Sequence, residues 1–280
     1  MVFGKCSEKL LAISITVALI LEATIVNASA VEQIGKDKKM VNVSYGIKSE
    51  QCGDLYLPEE ISSATPKLLL LHGGGWRSNQ YLRQTLSDQS MLFCKAGYIV
   101  YNVDYRLAPE AAWPVIGDDC IEAAKKLISC DGIPELLELA NEPISILGVS
   151  AGGHLALMTG LRLPHESVKG IISISGIADP SVDAEKNPAR YEALFNGGAI
   201  DYNAFPIKHI SDKMPSILLT HCWNDTVVPI ESQIAFARAM ADKLSGVETY
   251  FYDFDRVQQG HAIWDVNNKK QHVLYPDIFE

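Results

Sequence analysis

The stretch ISILGVSAGGHLALMTGL, residues 144–161, changes character at Ser150. Ahead of the serine, ISILGV is apolar and lacks polar alternation, the pattern of a strand buried on both faces. Behind it, GGHLALMTGL follows with helical period and without a gap. A strand that turns straight into a helix strains the residue at the corner and crowds its neighbours, so small residues are needed two before and two after it. Gly148 and Gly152 stand at those positions. The hydroxyl of Ser150 is then held clear of the backbone at a helix amino terminus, where negative charge is favoured. The same serine would also serve as a simple helix cap.

The alternation continues in both directions. KLLLL (67–71), YIVYNV (98–103), GIISIS (170–175), SILLT (216–220) and ETYFYDF (248–254) read as further strands. TLSDQSMLFCKAG, DDCIEAAKKLI and ESQIAFARAMADKL read as crossover helices, the last placing Ile234, Ala237, Ala241 and Leu244 on one face. VNVSYG and GDLYLPEE alternate like an antiparallel edge pair. Strand and helix in repeated succession predict an α/β fold with a mostly parallel central sheet flanked by helices on both faces. Ligands of such sheets bind beyond the carboxyl ends of the strands.

At those ends stand the other chemically suggestive residues. A serine hydroxyl attacks only if a base removes its proton, and the usual base is a histidine oriented by a carboxylate. Of seven histidines, His261 in QQGHAIW follows the last expected strand, and Asp225 in CWNDTVVP follows SILLT. Asp253 and Asp255 also precede His261, but the short loop after SILLT favours Asp225. His72 reads as a structural contact beneath a glycine loop and His154 as packing or solvent-facing. His165, His209 and His272 have no motif around them. His221 lies near Asp225, and a local role stays open. The loop is HGGGW (72–76), and bare peptide N–H groups there suit an oxygen that becomes negative during acyl transfer. Gly74 and Gly75, with the N–H of Ala151, are the expected donors of that oxyanion hole; which two of Gly73, Gly74 and Gly75 contribute is left open.

Composition bounds the rest. The chain has 280 residues, a formal charge of −10 and 48% hydrophobic residues, with no linker or repeat that would divide it. A net acidic chain without basic blocks is a poor partner for nucleic acid. Lys5 and Lys9 precede the apolar run LLAISITVALIL, and NASA closes at Ala30, so residues 1–30 read as a secretory signal and residues 31–280 as one domain. A membrane anchor fits less well because Glu22 interrupts a run already shorter than the about 20 residues needed to span. The expectation is an exported, secreted or periplasmic, protein with no stable membrane anchor. Export permits disulfides, yet Cys120 and Cys130 on one helix would stand about 15 Å apart at about 1.5 Å per residue. Buried or unpaired thiols are therefore expected of Cys52, Cys94, Cys120, Cys130 and Cys222. No C-x-x-C, H-E-x-x-H or tight His/Asp cluster occurs, so a zinc site has little support.

Taken in order, HGGGW, DYRLAPE (104–110), GVSAGGHLA, NDTVVP and GHAIW resemble the α/β-hydrolase carboxylesterases, the group with hormone-sensitive-lipase-like and acetyl- or feruloyl-esterase-like enzymes. The likeness covers about residues 53–264. It implies the α/β-hydrolase fold, with Ser150, Asp225 and His261 as a catalytic triad working through an acyl-enzyme on a small-molecule ester. It also implies that Asp104 and Arg106 brace the loop beside the site. Cys222 stands where relatives commonly have glycine, which puts the local turn in question. The one long insertion, residues 180–214, is polar with Tyr191, Phe195, Tyr202 and Phe205; it reads either as a wall of the substrate pocket or as a surface excursion. Without a strongly apolar lid, small soluble short-acyl esters are favoured over triglyceride. Alternatives are an arylformamidase-type amide hydrolase, a peptidase, for which an extra access-restricting domain is lacking, and a non-catalytic hydrolase-fold binding protein.

Overall fold

Three antiparallel strands open the fold: β1 (Ala30–Ile34), β2 (Asp37–Ser44) and β3 (Cys52–Leu57). The computed structural model describes residues 30–77, 80–182, 184–243 and 260–261. The expected signal before Ala30, the ETYFYDF strand, Asp253 and Asp255 lie outside the described residues. Next come β4 (Lys67–Leu71), α1 (Ser87–Lys95), β5 (Ile99–Val103), α2 (Val115–Ser129), β6 (Ile144–Val149) and α3 (Ala151–Arg162). They are followed by β7 (Val168–Ile174), the one-turn α4 (Ala189–Glu192), β8 (Ser216–Thr220) and α5 (Glu231–Lys243). The eight strands form one sheet in the order β1-β2-β3-β5-β4-β6-β7-β8, parallel from β5 to β8. VNVSYG and GDLYLPEE do pair antiparallel, but β1 lies outside them and β3 joins the parallel strands through β5.

Why KLLLL must be a central strand is visible in its packing. Leu69 and Leu71 enter one apolar cluster with Ile116, Ala123 and Leu127 of α2 and Leu155 of α3. Leu68 and Leu70 enter another with Leu86, Val100, Cys94 of α1 and Cys222. Alternate side chains thus face opposite layers, and each buried leucine contributes about 1.5–3 kcal/mol. Lys67 is buried as well. Its ammonium donates to the Leu127 carbonyl at 3.0 Å, a group near the end of α2 that the helix itself leaves open, and to the Leu139 carbonyl in the following segment at 2.8 Å.

Helix α5 differs from its expected register. Phe236, Ala237 and Met240 are buried together with Ser232 and Gln233, whereas Ala241 is exposed. The polar pair is buried because it is bonded. Ser232 Oγ accepts from the amides of Ala178 and Asp179, and Gln233 Nε2 donates to Ser173 Oγ at 3.1 Å. Within the insertion, Tyr191 and Phe205 are buried, Phe195 packs against Phe205, and Tyr202 is exposed. The segment is therefore docked on the domain, with the Ile207 amide donating to the Ala178 carbonyl at 3.0 Å.

Candidate active site

Sheet order brings β4, β6, β7 and β8 side by side, so their carboxyl ends form one rim. Ser150 follows β6 with φ 55° and ψ −121°, a strained backbone for any residue with a side chain. Its side chain makes no capping hydrogen bond to α3, so it is not serving as a cap. The corner is crowded as expected. A Cβ on Gly148 would lie 1.9 Å from the Gly152 carbonyl oxygen, and one on Gly152 would lie 2.1 Å from that of Leu71. Only glycine fits at either place.

Ser150 Oγ lies 2.9 Å from His261 Nε2, across 111 residues of chain. His261 Nδ1 in turn donates to Asp225 Oδ2 at 2.8 Å. The His261 ring is 13% exposed and the Asp225 carboxyl 0%, so the chain of bonds leads from a partly exposed ring inward. Two further contacts fix the histidine. Ser175, just past β7, donates its hydroxyl to the His261 carbonyl at 3.1 Å, and Gly260, at φ 63°, lies so close to Asn224 that a Cβ would meet Asn224 Oδ1 at 2.4 Å.

Asp225 sits in a tight turn. Its amide donates to the Cys222 carbonyl, and its Oδ1 accepts the amides of Val227 and Val228 at 2.8 and 2.9 Å. Burial acts to raise the carboxyl pKa but is outweighed by the hydrogen bonds from His221 and His261, which hold it well below the usual carboxylate range. Cys222, in place of the glycine common in the resembled enzymes, is accommodated: its thiol is buried and donates to Asn224 Oδ1 at 2.7 Å. Cys52, Cys94, Cys120, Cys130 and Cys222 are all thiols.

The glycine loop lies beside the corner. Gly73 is pressed against it, since a Cβ there would stand 3.2 Å from Ser150 Cβ and 3.1 Å from the Val149 carbonyl oxygen. Gly74 at φ 112° and Gly75 at φ 61° turn the chain back, with the Arg77 amide donating to the Gly74 carbonyl. Beneath them His72 is buried, stacked on Tyr105 at 4.3 Å and donating from Nδ1 to the Gly73 carbonyl at 2.7 Å. Its burial pushes the imidazole pKa down, so it is a neutral strut. Asp104 clasps Arg83 through backbone and guanidinium, while Arg106 forms a fork on Asp119 at 2.8 and 2.6 Å. Among the described residues no group of three or more His, Cys, Asp or Glu side chains could hold a metal ion.

Residues 53–240 match the BD-FAE family. The chain belongs to that family. Within it fall the glycine loop, the Ser150 corner and the Asp225 turn of this BD-FAE protein, while His261 lies past the matched span. Esterase LipC of Mycobacterium tuberculosis is 25% identical over 228 residues, covering 73% of this chain and 55% of its own. The versiconal hemiacetal acetate esterase of Emericella nidulans is 27% identical over 128 residues, 44% of this chain and 41% of its own. The chain thus spans about half the length of these curated relatives. Inhibited esterase B of Lactobacillus rhamnosis aligns with the BD-FAE chain at a TM-score of 0.67 and 17% identity, covering 96% of this chain and 92% of that one. The fold is that of the α/β-hydrolases.

His221, whose local role the sequence leaves open, sits against Asp225, and Ser175, not foreseen from the sequence, holds the backbone of His261. The spacing of His221 four residues before Asp225, across one tight turn, was the available signal for the first. Ser175 gives none.

Proposed function

We propose that this protein is a serine carboxylesterase acting on small, soluble short-acyl esters. The observation that carries this reading is the unbroken bond chain from Ser150 Oγ through His261 to Asp225, at 2.9 and 2.8 Å, with Ser150 strained at the amino end of a helix. In the first step Ser150 Oγ attacks the ester carbonyl carbon as His261 Nε2 takes its proton. Asp225 keeps the imidazole in the required tautomer and stabilises the imidazolium. The carbonyl oxygen becomes an oxyanion, received by the N–H groups of Ala151 and of Gly74 and Gly75. Collapse breaks the bond to the alcohol, which leaves with the proton from His261. Water then attacks the acyl-enzyme in the same manner and releases the acid. Every proton is carried by His261, so the step needs no metal or organic cofactor.

The short-acyl assignment is supported by the insertion, whose buried aromatics Tyr191 and Phe205 belong to the core rather than to an apolar lid. The acetate in the name of the Emericella nidulans relative points the same way. Export through residues 1–30 belongs to the same proposal, and cleavage after Ala30 would leave β1 paired with β2 from Val31 onward. Purified enzyme should hydrolyse p-nitrophenyl acetate or butyrate and leave N-formylkynurenine essentially untouched. Preference for the formamide would replace the esterase reading with an amide-hydrolase one, and inertness toward both would leave a binding protein.

A further inference from the structure

His221 follows β8 directly, is fully buried, and is not itself one of the three residues linked from Ser150 through His261 to Asp225. Its Nε2 points at the Val228 carbonyl oxygen, 3.1 Å away, and lies 3.0 Å from Asp225 Oδ2. Both neighbours are acceptors, so Nε2 carries the proton and shares it between them. Nδ1 is buried without a hydrogen-bond partner, and a second proton there would be stranded. The oxygen it touches is the same one that receives His261 Nδ1–H. On the other side, Val228 gives its amide to Asp225 Oδ1. His221 therefore grips the carboxylate and, through the Val228 carbonyl, the peptide that pins it. Among the described residues, the titratable groups acting on Asp225 are His221 and His261.

We infer that His221 is a positioning residue for the hydrolysis, orienting the Asp225 carboxylate and tempering its basicity through a shared Nε2–H. A carboxylate whose Oδ2 already accepts a neutral N–H attracts the His261 proton less strongly than one with that oxygen otherwise bare. Loss of the grip would have two effects. The carboxylate gains freedom to turn away from His261, lowering turnover. It also becomes a stronger base, so His261 holds its proton to higher pH and the acid limb of kcat/KM moves up.

The inference rests on the proposed esterase activity, and the test separates the two. If the unaltered enzyme hydrolyses no p-nitrophenyl ester, the esterase reading fails. If it does, His221→Leu should lower kcat on the order of tenfold with KM within about twofold, and should move the acid limb upward by roughly half a pH unit. His221→Gln, which offers an N–H at similar reach, should recover most of kcat and return the limb. An unchanged kcat and limb in His221→Leu, or a Gln variant as impaired as the Leu one at equal folded fraction, would overturn the inference. Should His221→Leu fail to fold, ¹⁵N-histidine spectra of the unaltered full chain decide the matter: a neutral Nε2–H ring at position 221 supports it, and an Nδ1–H ring overturns it.

Discussion

Trp76, at the end of the glycine loop, donates its indole Nε1–H to Nδ1 of His154 on α3 at 3.2 Å. The other ring nitrogen donates to the Ala204 carbonyl at 2.7 Å, so one neutral imidazole ties the loop and the helix after Ser150 to the insertion. Burial, partly opposed by the bond to Ala204, pushes the His154 pKa down to about 4. Between the ordinary value of about 6.5 and that value, the unfolded chain takes up a proton that the folded one refuses. Stability therefore falls as pH falls through this window, by up to about 3 kcal/mol. Denaturant unfolding at pH 7 and pH 4.5 should show a smaller acid-side loss in His154→Gln than in the unaltered protein. Equal losses would remove His154 from the acid response.

Asp225→Asn should lower turnover on the order of 10³- to 10⁴-fold, because an amide cannot both accept from His261 Nδ1 and stabilise an imidazolium. Its lowered folded pKa has a stability consequence of the usual carboxylate sign. The contribution is fully present above the unfolded pKa and is lost as pH falls through the folded one. Steady-state kinetics of Asp225→Asn beside Asp253→Asn and Asp255→Asn checks this, with the latter two expected to lose less than about tenfold. The reverse ranking would move the acid elsewhere.

The corner glycines should divide sharply from the loop glycine. Gly148→Ala and Gly152→Ala would drive a methyl to 1.9 and 2.1 Å from backbone oxygens, so neither variant should accumulate as folded protein. Gly75 has open space around its missing Cβ and only a positive φ of 61° to oppose a side chain, so Gly75→Ala should fold with a loss of about 1–2 kcal/mol. Soluble yield and thermal melting distinguish the two outcomes.

Central strands and the corner serine were legible in the sequence because each obeys a local rule. KLLLL has no polar alternation since Leu68 and Leu70 face one layer and Leu69 and Leu71 the other. Ser150 stands between glycines because its neighbours touch backbone. The buried face of α5 was not legible, because Ser232 and Gln233 look like surface residues until Ala178, Asp179 and Ser173 supply their partners. Of the two readings open for His154, packing is the one the structure shows, since the ring is wholly buried; its ties to Trp76 and Ala204 span 78 and 50 residues, beyond any local pattern. β1 lacks a distinctive pattern in AVEQI and gains its place by pairing with β2.

Across p-nitrophenyl esters from acetate to palmitate, the rate maximum should fall between about two and six acyl carbons. A methylene adds about 0.8 kcal/mol only while an apolar wall remains to cover it. A maximum at the dodecanoyl ester or beyond would indicate a lipase instead.

Covalent labelling of the nucleophile bears most directly on the proposed chemistry. The full chain is treated with an organophosphate, digested, and the modified peptide sequenced by mass spectrometry, with Ser150→Ala treated alongside. Ser173 and Ser175 are fully buried, whereas Ser150 Oγ has His261 Nε2 at 2.9 Å to take its proton. Stoichiometric modification of Ser150, with parallel loss of esterase activity and no labelling of the folded alanine variant, is the expected result; a label on Ser173, Ser175 or any other residue, or esterase activity that survives in Ser150→Ala, would contradict it.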